Sequence, residues 1–318
     1  MTTAASFLPS GVLCQARGSR FGERVFFCRH GRRHYLPSPA HVATLGRRWP
    51  DDVVQVDEAV LAAFAVGSDI PEVGQARAWS MTEIESSSVR MREYFAQVLH
   101  GYGLEVGAGA TPFPVPLRCH VVYGDRLSHA ALVRGRYAGQ SEDQFVWPDL
   151  RTEFDTLAGV GDESLDFVIG CHVIESARNP IGAMEAAWRT LRPGGYLILV
   201  VSDKDRTFDR RRPTTSLDHV LADYQRPDRA RDYQHYVEYY TLAHETPEQD
   251  RAAIIDREFA QGNEIHFHAW TYDSFMTLVD YVNHNVVRWD DISSHGPLAH
   301  PELDIEFYVR LRKAEARV

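Results

Sequence analysis

The run Glu105-Val106-Gly107-Ala108-Gly109 closes a short apolar stretch that begins at Leu104. A glycine-rich turn at the C-terminal end of a parallel strand carries no side chain, so a ligand can approach the backbone closely. Asp125 stands eighteen residues beyond Gly107, at the end of the next apolar run. An acid at that place suits the two hydroxyls of a ribose. A dinucleotide site would carry a third glycine in this turn and open a helix there. Instead the chain continues Pro112-Phe113-Pro114-Val115-Pro116, and alternate prolines cannot begin a regular helix over a pyrophosphate. The expected ligand is adenosine-like, without a diphosphate.

The elements that must position these residues are readable as alternation. Apolar, β-prone runs at 104–107, 121–123, 165–170 and 196–201, with a shorter one near 145–147, are expected strands. Helices are expected over 82–99, with Thr82 and Glu85 as a capping box, over 180–191 and over 271–283. Strands near 286–292 and 305–311 close the chain. This pattern implies a mostly parallel sheet covered by helices on both faces. Residues 203–267 are too many for a simple connection and are expected to form a helical lid.

Upstream, residues 12–14, 24–28, 33–36 and 53–56 read as short strands separated by turns, with a short helix opened at Ser38-Pro39. Residues 1–80 carry nine arginines and seven acids, whereas the whole chain has a formal charge of −10. That shift places a boundary near residue 80, giving a β-rich module over 1–78 and a larger α/β domain over 79–318. The segment resembles a small module found in bacterial glycan-related proteins, through His34-Tyr35-Leu36-Pro37-Ser38-Pro39, Gly46-Arg47-Arg48-Trp49, the Val53 and Val56 pair, and Gly67-Ser68-Asp69-Ile70.

The chain of 318 residues, 44% hydrophobic and 25% charged, has the composition of a globular protein. Its acidity disfavours nucleic acid as a partner, because such binding needs a basic surface. No membrane-length apolar run occurs and the first residues lack a secretory pattern, so a cytoplasmic location is expected. Four cysteines without a CxxC pair argue against a disulfide framework.

Four motifs in order give the chain a broad resemblance to class I S-adenosylmethionine-dependent methyltransferases. They are Glu105-x-Gly107-x-Gly109, Asp125, Leu165-Asp166-Phe167-Val168-Ile169 followed by Cys171-His172-Val173-Ile174-Glu175, and Leu191-Arg192-Pro193-Gly194-Gly195-Tyr196. The stretch Ser202-Asp203-Lys204-Asp205-Arg206-Thr207-Phe208-Asp209-Arg210-Arg211-Arg212 resembles a bacterial subgroup tied to glycan and secondary-metabolite clusters, although Ser176 stands where a second histidine is common. The resemblance implies a Rossmann-like doubly wound sheet and S-adenosyl-L-methionine as cofactor. Gly107, Ala108 and Gly109 would pass under its methionine part, Glu105 would order the loop and the amino group, Asp125 and its neighbour Arg126 would serve the ribose, and Glu153 and Phe154 would flank the adenine.

The acceptor belongs beyond the C-terminal strand ends. His172 and Asp203 follow the fourth and fifth strands and are the candidates for base or orienter. Arg206 and Arg210 in the arginine run suit a phosphate or carboxylate. Fifteen histidines are present, many in the second half. His219 and Asp223, His235 and Glu238, and His266 and His268 each share a face. These groups could surround a divalent metal if they converged. The simpler expectation is separate hydrogen-bonding histidines, with His235, His266 and His268 facing the substrate and chelators having no effect. The expected reaction is methyl transfer to an oxygen of a sugar or other small polar metabolite, with nitrogen and carbon as lesser choices. The competitors are a non-methylating enzyme on the same fold and a noncatalytic docking protein. A homo-oligomer is left open.

Overall fold

The computed structural model describes residues 12–29, 32–36, 38–44, 47–66, 80–116, 118–139, 145–244, 246–299 and 304–315. The expected turn at residues 30–31, Pro37, Gly46, residues 67–70 and the expected boundary at 78–79 lie outside them.

Short β-prone runs near the start pair as expected. Strands β1 (Val12–Gln15), β2 (Val25–Arg29) and β3 (Arg32–Leu36) form an antiparallel meander. β4 (Val53–Gln55) and β5 (Ala65–Val66) add parallel edges, in the order β4-β1-β2-β3-β5. Alternation along the strands sends Leu13, Val25 and Phe27 to one face, with Val42 of α1 (Pro39–Thr44), and Cys14, Phe26 and Cys28 to the other, with Leu61 of α2 (Glu58–Ala63). The module therefore has its own two-faced core.

The second sheet has seven strands: β6 (Gly101–Val106), β7 (Cys119–Asp125), β8 (Leu150–Arg151), β9 (Leu165–Cys171), β10 (Leu191–Ser202), β11 (Trp289–His295) and β12 (Glu306–Lys313). Their order is β11-β12-β10-β9-β6-β7-β8. Pairings from β8 to β10 are parallel, and β12 runs antiparallel between β10 and β11. This is the expected doubly wound, mostly parallel sheet.

Its strands are apolar throughout because both faces are covered. Val168, Leu197 and Leu199 pack beneath α6 (Pro180–Thr190), α7 (Leu217–Gln225) and α10 (Tyr272–Asn285). Phe167, Ile169, Ile198 and Val200 face α4 (Ser88–Ala96) through Met91 and Phe95. Phe113 and Val115 of the proline-rich connection fill the rest of that second face, where a crossover helix would otherwise lie.

Two expectations change. The helix expected over 82–99 is two helices. Ser80, not Thr82, caps α3 (Met81–Ile84) with Glu83 as its partner, and the Ser86-Ser87 pair breaks the chain before α4. Serine side chains compete for nearby backbone groups and favour such breaks; here the Ser86 hydroxyl donates to the Glu83 carbonyl at 2.7 Å. The strand expected near 145–147 is irregular. The Val146 N–H donates to the Gly109 carbonyl at 2.9 Å, and Phe145 and Trp147 stack on Tyr137 and His129 rather than pairing in the sheet. The third strand is β8, beyond Pro148.

Between β10 and α10 the lid is helical as expected, built from α7, α8 (Arg229–Glu238) and α9 (Glu248–Gln261). Tyr236, Tyr240, Ile255, Ile265 and Phe267 give it a core of its own. No helix among the described residues is long and apolar enough to cross a membrane.

Candidate functional site

The C-terminal ends of β6, β7 and β9 open into a cleft of about 440 Å³, a size suited to a small molecule. Gly107 and Gly109 line its floor with φ of 72° and 55°, the left-handed region in which side chains are strained. A Cβ on Gly107 would stand 2.8 Å from Val173, and one on Gly109 would stand 2.2 Å from the Tyr137 hydroxyl. Ala108 lies between them and also lines the cleft. Glu105 does not. Its side chain is wholly buried under the turn and accepts the Phe113 N–H at 2.9 Å. It holds the proline-rich connection from below.

Asp125 lies at the end of β7 and accepts the Leu127 N–H at 2.7 Å. Burial pushes its carboxyl above the ordinary range, and the Leu127 amide offsets part of that rise. Next to it, Arg126 reaches Glu264 of the lid at 3.8 Å. Glu153 is exposed at the rim, whereas Phe154 is buried with its ring edge on the cleft. A Cβ on Gly170 would come within 2.9 Å of that ring, so glycine at this point of β9 makes room for it. The cleft thus brings together Gly107, Ala108, Gly109, Asp125, Arg126, Glu153 and Phe154.

His172 is the one acceptor-side candidate that lines the cleft. Its φ is 52°, which costs a non-glycine residue about 1–3 kcal/mol and persists only where the surroundings enforce it. The enforcing contacts are visible. The His172 N–H donates to Val200, Nδ1 lies 2.7 Å from the Ser202 hydroxyl, and Nε2 lies 2.7 Å from the Glu306 carboxylate. Arg92 of α4 grips that carboxylate with Nε at 2.9 Å and Nη2 at 2.6 Å, and the Tyr308 hydroxyl donates to it at 2.8 Å. Buried Glu175 accepts the Ser202 N–H. Burial alone would lower the His172 pKa, but the Glu306 hydrogen bond and the Glu175 charge outweigh it and raise the imidazole above its usual value. Conversely, burial would raise Glu306, yet His172 and Arg92 hold it down at about 2.

The other acceptor-side candidates lie elsewhere. Asp203 is buried outside the cleft and caps a short 3-10 turn, accepting the Asp205 N–H at 2.9 Å. Its backbone is held by Ile305 and Trp270, so the chain turns away from the strand end before the carboxylate can face a ligand. Arg206 is spent on the carbonyls of Leu298 and Asp304. Arg210 is exposed away from the cleft, and Arg212 is buried against Asp209, Glu238 and the carbonyls of His266 and Phe267. Arg206 and Arg212 therefore brace the fold rather than face the cleft. His266 pairs with Asp209 at 2.7 Å. His235 and His268 are buried inside the lid and do not reach the cleft.

Several lining residues were not foreseen: Arg92 from α4, Arg178 before α6, and Phe267 and Glu264 from the lid. Arg178 bridges Asp232 and the Tyr236 hydroxyl, with its guanidinium 4.5 Å from the Phe267 ring centroid.

The family described as a methyltransferase domain matches residues 104–199, which run from β6 into β10. Among solved structures the chain is similar to an S-adenosylmethionine-dependent methyltransferase from Thermotoga maritima, at 17% identity and a TM-score of 0.40, over 72% of this chain and 91% of that one. It is also similar to one from Methanosarcina mazei, at 16% identity and a TM-score of 0.35, over 68% and 93% of the two chains. The methyltransferase domain of a citrinin polyketide synthase is similar at 13% identity and a TM-score of 0.37, over 68% and 47%. No curated protein matches the sequence.

Proposed function

We propose, for a chain that carries a class I S-adenosylmethionine-dependent methyltransferase domain with S-adenosyl-L-methionine as its cofactor, that the methyl group passes to a hydroxyl oxygen of a sugar or another small polar metabolite. The observation that carries this reading is His172, which lines the cleft and is made more basic by the Glu306 carboxylate behind it.

Bound in the cleft, the cofactor supplies an electrophilic methyl group on a sulfonium. The residues present fit it. Gly107 and Gly109 leave the floor free of side chains, Asp125 offers a carboxylate to the ribose hydroxyls, and Phe154 and Leu127 offer apolar surface to the adenine. Phe267 and Glu264 of the segment before α10 complete the cleft wall.

A hydroxyl becomes a competent nucleophile only as its proton leaves. In the structure Nδ1 of His172 faces the Ser202 hydroxyl while Nε2 is held by Glu306. An acceptor hydroxyl that takes the place of Ser202 at Nδ1 would deliver its proton there. The Nε2–H would stay on His172 and donate to the Glu306 carboxylate, which fixes the tautomer as the acid of a catalytic triad does. With the cofactor bound, its sulfonium would give up the methyl group to the acceptor oxygen and leave as the neutral thioether, and His172 would hold the proton that the hydroxyl loses. Arg178, which lines the cleft while paired with Asp232, offers hydrogen-bond donors to a polar acceptor.

Calorimetry with S-adenosylmethionine and S-adenosylhomocysteine, followed by labelled methyl transfer to a panel of sugars, phenols and amines, tests this. Transfer to amines or carbon acids alone would overturn the oxygen assignment. Within the same assay Asp125→Ala should weaken cofactor binding more than tenfold, because the ribose loses a charge-assisted acceptor worth roughly 1.5–3 kcal/mol. An unchanged dissociation constant in the folded variant would remove Asp125 from the site.

A further inference from the structure

The lid gathers four potential ligands that the methyl-transfer site does not use. His219 and Asp223 lie one turn apart on α7, His235 lies on α8, and His268 lies on the extended return to α10. One donor atom from each falls within 4.8 Å of all the others. Nε2 of His219 is 2.8 Å from Nε2 of His235, and Oδ2 of Asp223 is 3.1 Å and 3.4 Å from those same two nitrogens. Tetrahedral zinc, with bonds of about 2.0–2.1 Å, sets its ligand atoms roughly 3.3 Å apart. Three of the four side chains are buried, and Arg231 holds the other carboxylate oxygen of Asp223 at 2.6 and 2.9 Å, which turns Oδ2 toward the histidines.

An independent observation points to a missing partner. His268 is completely buried, and neither of its ring nitrogens has a hydrogen-bond partner. Nδ1 of His235 is likewise buried without one. Buried polar atoms are rarely left so, because the loss of water is then uncompensated. A shared proton would join only one histidine to Asp223, whereas a cation would engage all four groups.

We propose that His219, Asp223, His235 and His268 bind one divalent transition metal, zinc by geometry and donor set. Three imidazoles and a carboxylate complete a tetrahedron, so the site is closed and structural. None of the four lines the cleft, but Phe267, which precedes His268, does. The ion ties α7 and α8 to the segment that supplies the cleft wall. The chelator indifference expected from separate histidines is thereby reversed, and His266 and Glu238, paired instead with Asp209 and Arg212, stay outside the set.

The test uses the full chain without a histidine tag. Elemental analysis after dialysis should find about one zinc per chain. After chelator treatment, added Co²⁺ should give the intense visible bands of a tetrahedral site, and added Zn²⁺ should raise the melting temperature by several degrees. His268→Ala and Asp223→Asn should lose the ion, while His284→Ala, exposed on α10, should keep it. These wild-type readouts need no variant, so a misfolded His268→Ala does not decide the matter. Absence of a tetrahedral Co²⁺ spectrum and of a zinc-dependent melting shift in the wild-type chain would overturn the assignment. So would equal metal retention in a folded Asp223→Asn.

Discussion

Replacement of His172 by alanine is expected to reduce methyl transfer about 10²–10⁴-fold, the usual range for a lost general base, with cofactor affinity changed by no more than a few-fold. Gly107, Gly109 and Asp125, which would hold the cofactor, do not depend on this side chain, whereas the acceptor proton has no other imidazole among the residues that line the cleft. A merely structural histidine would also lower turnover, so the pH profile is the deciding readout. Only neutral His172 can take a proton, and Glu306 raises its pKa above the ordinary value. Wild-type turnover should therefore climb with pH through that raised value, and the alanine variant should lose this limb. Glu306→Gln should move the limb to lower pH, because the charge that makes the imidazole more basic is gone. If the folded alanine variant turns over like wild type, or keeps the limb, the base lies elsewhere.

The second large effect is on stability. Glu306 is almost fully buried and carries Arg92, His172 and Tyr308 on one carboxylate. Its removal leaves a largely buried guanidinium unpaired, so Glu306→Ala should destabilise the domain by about 3–5 kcal/mol. The pH dependence follows from the two opposite shifts. A carboxylate held down at about 2, against about 4.3 unfolded, contributes stability above pH 4.3 that is lost as pH falls toward 2. An imidazole raised above its unfolded value of about 6.5 contributes stability below that pH, which is lost as pH rises through the folded value. The network therefore contributes most between about pH 4.3 and 6.5. Urea melts across the pH range should show this maximum in the wild type and a flatter curve in Glu306→Gln. Identical curves for the two proteins would show that the network adds nothing.

How much of this was legible follows the range of the interactions. The glycine turn and Asp125 were legible as cleft-lining residues because each sits at a strand end that its own neighbours define; Phe154 lines the cleft too, but after β8 rather than after the strand expected at 145–147. The break at Ser86-Ser87 and the irregular stretch at 145–147 were misread because hydrogen bonds to local side chains and ring stacking overrode periodicity there. Asp203 was placed at the acceptor by its position after β10, but its backbone bonds to Trp270 and Ile305 turn the chain aside. The arginine run looked like an anion anchor because spacing reveals charge but not partners, and the carbonyls that Arg206 and Arg212 engage come from the far end of the lid and beyond.

By itself the sequence determined the alternation of strands and helices and the proline-barred turn, both of which rest on local backbone preference and residue period. Only the tertiary structure decided what stands behind His172. The antiparallel insertion of β12 beside β10 carries Glu306 to a histidine 134 residues earlier, and α4 brings Arg92 to the same carboxylate from 214 residues away. The same holds for the lid, where His219 and Asp223 of α7, His235 of α8 and His268 of the extended segment before α10 meet although no single stretch of chain holds them together. Side-chain spacing along one helix fixes which groups share a face, but the meeting of faces is set by core packing between elements, and that is encoded in no single stretch of the chain.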